Sequence, residues 1–172
     1  MSHRVPTNIL TGFLGVGKTT TILKLLKDKP ENENWAVLVN EFGEIGIDGA
    51  VMTDQGAMIK EVPGGCMCCT AGVPMSVGIT ALLRQKPDRL LIEPTGLGHP
   101  KQVIATLTSE QYLPYVDLKA TIALVDPRNL SNEKFLSNAN FVDQLDSADV
   151  VIGSKVDQCT SHDIDVFNDW VT

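Results

Sequence analysis

Short, mainly apolar runs alternate along this chain with stretches whose apolar residues recur at helical spacing. Val5 to Leu10, Ala36 to Val39, Met58 to Val62, Arg89 to Ile92, Ala120 to Val125 and Val150 to Ile152 are the runs. Each is too short for a core helix, and such runs, of which Met58 to Val62 is the weakest, predict strands buried on both faces. Between them, Lys18 to Lys27 has Ile22, Leu23, Leu25 and Leu26 apolar, with Pro30 just beyond. Helices are also predicted for Met75 to Arg84, Lys101 to Leu107, Glu133 to Leu145 and Asp163 to Trp170. Strands that alternate with helices build βαβ units, hence an α/β three-layer sandwich with a mainly parallel sheet flanked by helices. Residues 1–172 form one domain with no internal repeat. The last predicted helix runs almost to Thr172, which suggests one domain of a longer protein.

Composition narrows the classes of partner. The chain is 43% hydrophobic and 20% charged with a net charge of −7, an ordinary balance for a soluble globular domain. Net negative charge forfeits the phosphate attraction behind nucleic-acid binding. A nucleotide is still admissible, because backbone N–H groups bind phosphate locally whatever the total charge. No run approaches the roughly 20 apolar residues that span a bilayer, and the first residues lack the order of a signal peptide. A cytoplasmic protein with no membrane partner is expected.

The turn after the first strand carries the plainest chemistry. Gly12-Phe13-Leu14-Gly15-Val16-Gly17-Lys18-Thr19 fits the phosphate-loop pattern at every position. Gly12, Gly15 and Gly17 let the backbone curl so that the N–H groups, Val16's among them, face phosphate oxygens. The following helix adds its positive end. Lys18 would reach the β- and γ-phosphates, and the Thr19 hydroxyl would ligate Mg²⁺. A strand before the loop and an apolar-faced helix after it are the context that separates this site from a merely glycine-rich turn. The fold class is therefore that of the P-loop NTPases.

Two more strand ends extend the site. Leu90-Leu91-Ile92-Glu93 closes on a carboxylate suited to hold Mg²⁺ directly or through water, and Gly96 lies close enough in sequence to sense a γ-phosphate. Val151-Ile152-Gly153-Ser154-Lys155-Val156-Asp157 ends in Asp157, whose carboxylate would accept from guanine N1–H and the exocyclic amine, with the Lys155 stem over the base. Ser154 stands where the guanine-reading signature has asparagine. GTP is preferred to ATP on this pattern.

The four cysteines are unevenly spread: Cys66, Cys68 and Cys69 fall within Pro63-Gly64-Gly65-Cys66-Met67-Cys68-Cys69, and Cys159 lies apart. Thiolates so close cannot form a spread disulfide framework and suit Zn²⁺, Cu(I) or Co²⁺. Three sulfurs leave a fourth position for water, a carboxylate or a ligand from a second copy in a homodimer, and such a site can release its metal. A redox-sensing thiol pair is the alternative. Asn40-Glu41-Phe42-Gly43-Glu44 follows the second strand, with Asp48 beyond. Glu44 would complete the metal site, and Asp48 would lie near Mg²⁺ or the attacking water. His99, a lone loop histidine, is left outside the site.

Together these motifs resemble the CobW family of metal-handling GTPases, relatives of the urease- and hydrogenase-maturation GTPases. The matching residues are Thr11 to Thr20, Asn40 to Glu44, Gly65 to Cys69, Glu93 to Gly96 and Ser154 to Asp157. The resemblance implies nucleotide contacts that extend to Thr20, GTP hydrolysis coupled to delivery of a metal, most often zinc and in some members cobalt, and a client metalloprotein that receives it. It also implies that Cys66, Cys68, Cys69 and Glu44 hold the metal, and that a further C-terminal domain follows. A small-molecule kinase or ATPase, and a thiol sensor that binds nucleotide only structurally, are the competing functions.

Overall fold

A computed structural model describes residues 3–39, 50–52, 56–62, 73–95 and 99–172. Among the described residues, seven strands form one sheet: β1 (Val5–Gly12), β2 (Trp35–Val39), β3 (Ala50–Met52), β4 (Ala57–Glu61), β5 (Arg89–Glu93), β6 (Val116–Val125) and β7 (Val150–Gly153). Their order is β3-β4-β2-β5-β1-β6-β7. All neighbours are parallel except β3, which runs antiparallel to β4 at one edge. Helices α1 (Lys18–Asp28), α2 (Val73–Leu83), α3 (Pro100–Leu107), α4 (Glu133–Leu136), α5 (Ala139–Asp146) and α6 (Ser161–Val171) fill the connections. This is the three-layer sandwich that the run pattern predicts.

The continuous apolar runs are explained by burial on both faces. Along β2, Ala36 and Leu38 join Ile79 and Leu82 of α2, whereas Val37 and Val39 join Ile22 and Leu26 of α1. On β5, Leu90 and Ile92 point one way and Leu91 the other. A strand with period 2 and two covered faces favours apolar residues at successive positions.

Three differences from the sequence pattern have local causes. The predicted Glu133–Leu145 helix is two helices, because Ser137 ends α4 and the Asn138 side chain accepts from the N–H groups of Asn140 and Phe141 to start α5. Asparagine and serine bond backbone groups more favourably at a helix end than inside one. Strand β6 begins at Val116 rather than Ala120; Asp117 and Lys119 interrupt the apolar run but pair with each other at 2.6 Å. Strand β3 has three residues, too few to show a period.

Beyond β6 the core turns aromatic. Phe13 meets Phe135 edge-on with centroids 5.2 Å apart, Phe135 meets Phe141 at 4.4 Å, and Phe141 lies 6.2 Å from Trp170. This column connects the phosphate loop to α6.

One close contact fixes how α2 sits on the sheet. A Cβ built on Gly78 would lie 2.7 Å from Leu38 Cδ1, and Leu38 is fully buried. Glycine costs a helix interior about 1 kcal/mol against alanine, so its presence here reflects that approach. Gly78→Ala should therefore be neutral or destabilising in the wild type. In a Leu38→Ala background, itself destabilised by about 2–5 kcal/mol, the same change should stabilise. A double-mutant cycle by urea denaturation measures this reversal; additive effects would contradict the contact.

Candidate nucleotide site

Parallel pairing brings the C-terminal ends of the strands to one rim. Gly12 is in register with Leu124, Val39 with both Glu93 and Glu61, and Val125 with Gly153. The predicted phosphate loop, Glu93 and the Ser154–Asp157 segment therefore all leave the sheet on the same side, the usual place for a ligand in an open α/β sheet.

The loop depends on glycine at two places for different reasons. A Cβ on Gly12 would lie 2.7 Å from Val16 Cγ1 and 3.0 Å from the Leu124 carbonyl oxygen, so packing excludes any side chain. Gly17 has φ of +100°, a backbone state open to glycine at little cost. It occupies the N-cap of α1, where it supplies no side-chain bond, and the first turn carries no acid. The free N–H groups and the positive helix end are left for an anion.

Lys18 is 8% exposed, and its Nζ donates to the carbonyl oxygens of Gly12 at 2.7 Å and Phe13 at 3.3 Å. The side chain folds back over its own loop. Burial lowers its pKa from the usual lysine value, and the Glu93 charge opposes that shift. Glu93 is 6% exposed, and its Oε2 is buried with no hydrogen-bond partner among the described residues. Burial raises its pKa to about 7 against the pull of Lys18. A buried carboxylate oxygen without a donor among the described residues is a hard-oxygen ligand of the kind that suits Mg²⁺, and Thr19 in the first turn of α1 offers a hydroxyl. Thr19 and Glu93 are the residues that would hold it. Thr20 is on the solvent side of the first turn.

The predicted base-reading segment is latched to this loop. Lys155 adopts φ of +54°, and its Nζ donates to the Gly15 carbonyl oxygen. Asp157 lies exposed in the 3₁₀ turn Val156–Gln158. The Ser154 hydroxyl oxygen is buried without a partner among the described residues. Sequence reasoning missed the brace beneath this segment. Asp126, at the end of β6, accepts from Arg128 Nε at 3.0 Å and Nη2 at 2.7 Å, and Arg128 Nη1 donates to Gln158 Oε1 at 3.1 Å. The Arg128 bonds hold the Asp126 carboxyl below its ordinary pKa. An Asp-Pro-Arg sequence directly after a buried run was the available signal.

His99 faces Asp143 with Nδ1 2.7 Å from Oδ2, which links the start of α3 to α5. Glu44, Asp48, Cys66, Cys68, Cys69 and Gly96 lie outside the described residues. Among those that are described, no three His, Cys, Asp or Glu side chains are grouped to hold a metal, and no helix is long and apolar enough to cross a membrane.

Residues 6–172 match the family model described as CobW/HypB/UreG, nucleotide-binding domain. The chain belongs to this family. Within it, the chain is 59% identical over 165 residues to the zinc chaperone YeiR of Escherichia coli strain K12, a match that covers 95% of this chain and 50% of that protein. It is 33% identical over 161 residues to the zinc chaperone YjiA of the same organism, covering 89% of this chain and 50% of YjiA. The crystal structure of Zn(II)-bound YjiA GTPase from E. coli superposes with a TM-score of 0.71 at 25% identity, over 97% of this chain and 54% of that one. The chain spans about half the length of these relatives. As a family member it carries the nucleotide-binding architecture that the loop geometry shows.

Glu93 generates a pH prediction. Its folded pKa of about 7 exceeds the ordinary 4.5, so the nucleotide-free fold retains a proton that the unfolded chain releases. Its contribution is present in full below the unfolded pKa and is lost as pH rises through 7. Glu93→Gln should therefore narrow the fall in Tm between pH 5 and pH 8, measured by calorimetry without nucleotide. An unchanged pH slope would show that Glu93 titrates as an ordinary carboxylate.

Proposed function

We propose that this chain is the GTP-hydrolysing domain of a zinc metallochaperone, in which nucleotide state governs the hold on zinc. The observation that carries the reading is the buried Lys18–Glu93 pair, on a rim where β2 and β4 end in register with Glu93. The segments that carry Glu44 and the three clustered cysteines follow directly from those two strand ends. In sequence, the proposed zinc ligands are therefore Glu44, which follows β2, and Cys66, Cys68 and Cys69, which follow β4, the two strands next in order after β5. The zinc-chaperone relatives support the same reading.

In the proposed cycle, GTP phosphates displace the Gly12 and Phe13 carbonyls as partners of Lys18. The loop N–H groups from Gly15 to Thr20 then carry the β-phosphate, and Lys18 neutralises charge that develops on the γ-phosphate. Mg²⁺, held by Thr19 and Glu93, supplies further charge neutralisation when bound. Lys155 positions the base and Asp157 accepts from its Watson–Crick edge, which favours guanine over adenine. Gly96 senses the γ-phosphate, and Glu44 and Asp48 are the candidates to orient water. Hydrolysis relaxes the segments after β2 and β5, and a three-sulfur zinc site weakens when one ligand departs. The released zinc passes to a client metalloprotein.

Two measurements test this. Lys18→Ala should lower GTP turnover by about 100-fold or more; turnover equal to wild type would remove Lys18 from the mechanism. Zinc affinity, measured by competition with a chelating dye, should differ between GDP and a non-hydrolysable GTP analogue. An affinity that ignores the nucleotide would leave a GTPase with a static metal, and absence of zinc binding would favour thiol redox chemistry.

A further inference from the structure

The nucleotide rim has a counterpart at the other end of the sheet. His3 precedes β1, Asp88 precedes β5 and Tyr115 precedes β6, and together with the C-terminal end of α2 they line a cleft of about 920 Å³. The eight residues of β1, at about 3.3 Å each, place it roughly 25 Å from the phosphate loop. The volume falls within the range of small-molecule sites.

Its chemistry runs against that of the whole chain. The protein has 21 acids against 14 lysines and arginines, yet this cleft collects Arg84, Lys86 and His3 around a single carboxylate, Asp88. Asp88 is already engaged, its Oδ2 accepting from the Asn34 N–H at 2.7 Å. Among the described residues, Arg84, Lys86 and His3 take part in no ion pair. Lys86 is also held at φ of +50°, a left-handed state that glycine would occupy more easily at a helix end. The chain keeps a cation there instead. The apolar side is Leu83 with the ring of Tyr115, which is 57% exposed. Beneath them Tyr112 is 3% exposed and fixed by its hydroxyl, which donates to the Ser76 carbonyl oxygen and shares a hydrogen bond with Thr80 Oγ1.

We propose that this cleft binds a small anionic molecule, its carboxylate, phosphate or sulfonate on Arg84 and Lys86 and a flat apolar body against Leu83 and Tyr115. A preformed floor, unpaired cations and an exposed ring are the features that such a ligand needs. The site is separate from the nucleotide rim, and its occupant rests on the end of α2, the helix that begins four residues after Cys69.

The probe is 1-anilinonaphthalene-8-sulfonate, titrated into the intact protein by fluorescence and mapped by amide chemical shifts. Saturable binding is expected, with shifts concentrated at Arg84–Asp88 and Gln111–Tyr115. The R84E/K86E double variant should bind at least tenfold more weakly, whereas K24E/K27E, which makes the same charge change on α1, should match wild type. The neutral analogue N-phenyl-1-naphthylamine should bind more weakly than the sulfonate. Shifts centred elsewhere, equal affinity in R84E/K86E, or no saturable binding would overturn the proposal. GTP binding by R84E/K86E, measured in parallel, confirms that the variant is folded and keeps this result distinct from the proposed nucleotide function.

Discussion

Two opposite charges buried at the mouth of the sheet are the constraint around which this domain is arranged. Lys18 and Glu93 are both less than one-tenth exposed, and burial moves their pKa values toward the neutral forms. Breaking one partner of such a pair is strongly destabilising, whereas the intact pair adds little to stability by itself. Lys18 is turned onto loop carbonyls, and one Glu93 oxygen has no donor among the described residues.

The remainder of the fold holds that mouth in place. Central strand β1 is flanked by β5 and β6, so the loop that follows it emerges between the strand that ends in Glu93 and the strand that precedes Asp126. Helices α1 and α2 seal opposite faces, each through the alternate residues of the same strands. The Asp126–Arg128–Gln158 brace and the Lys155–Gly15 bond then tie the last strand's exit to the phosphate loop. The segment after β7 and the loop after β1 are thus mechanically joined.

Much of this was legible in the sequence because buried parallel strands leave an unmixed apolar signature. The runs at Ala36–Val39 and Arg89–Ile92 each fell within one residue of an observed strand. The phosphate loop was legible for another reason: its glycines answer to packing and backbone torsion, which constrain identity at fixed spacing. What escaped depended on side chains that meet across long separations. Nothing near Asp126 reveals that Arg128 will reach Gln158, 30 residues away. The break at Ser137–Asn138 was written in polar residues that also occur on exposed helix faces, so the apolar period continued through it. Glu44, Asp48, Gly96 and the three clustered cysteines lie outside the described residues, and their roles rest on spacing and kinship.

The aromatic column beyond β6 makes the variable positions of the phosphate loop unequal. Leu14 is 57% exposed and free to vary, but its neighbour Phe13 is the first member of a stack that passes through Phe135 and Phe141 to Trp170. A shift of the loop repacks that stack, and the far indole changes its surroundings with it. Trp170, on α6, is thus packed in line with a loop at the opposite end of the sequence, while the chain's other indole, Trp35, sits on β2.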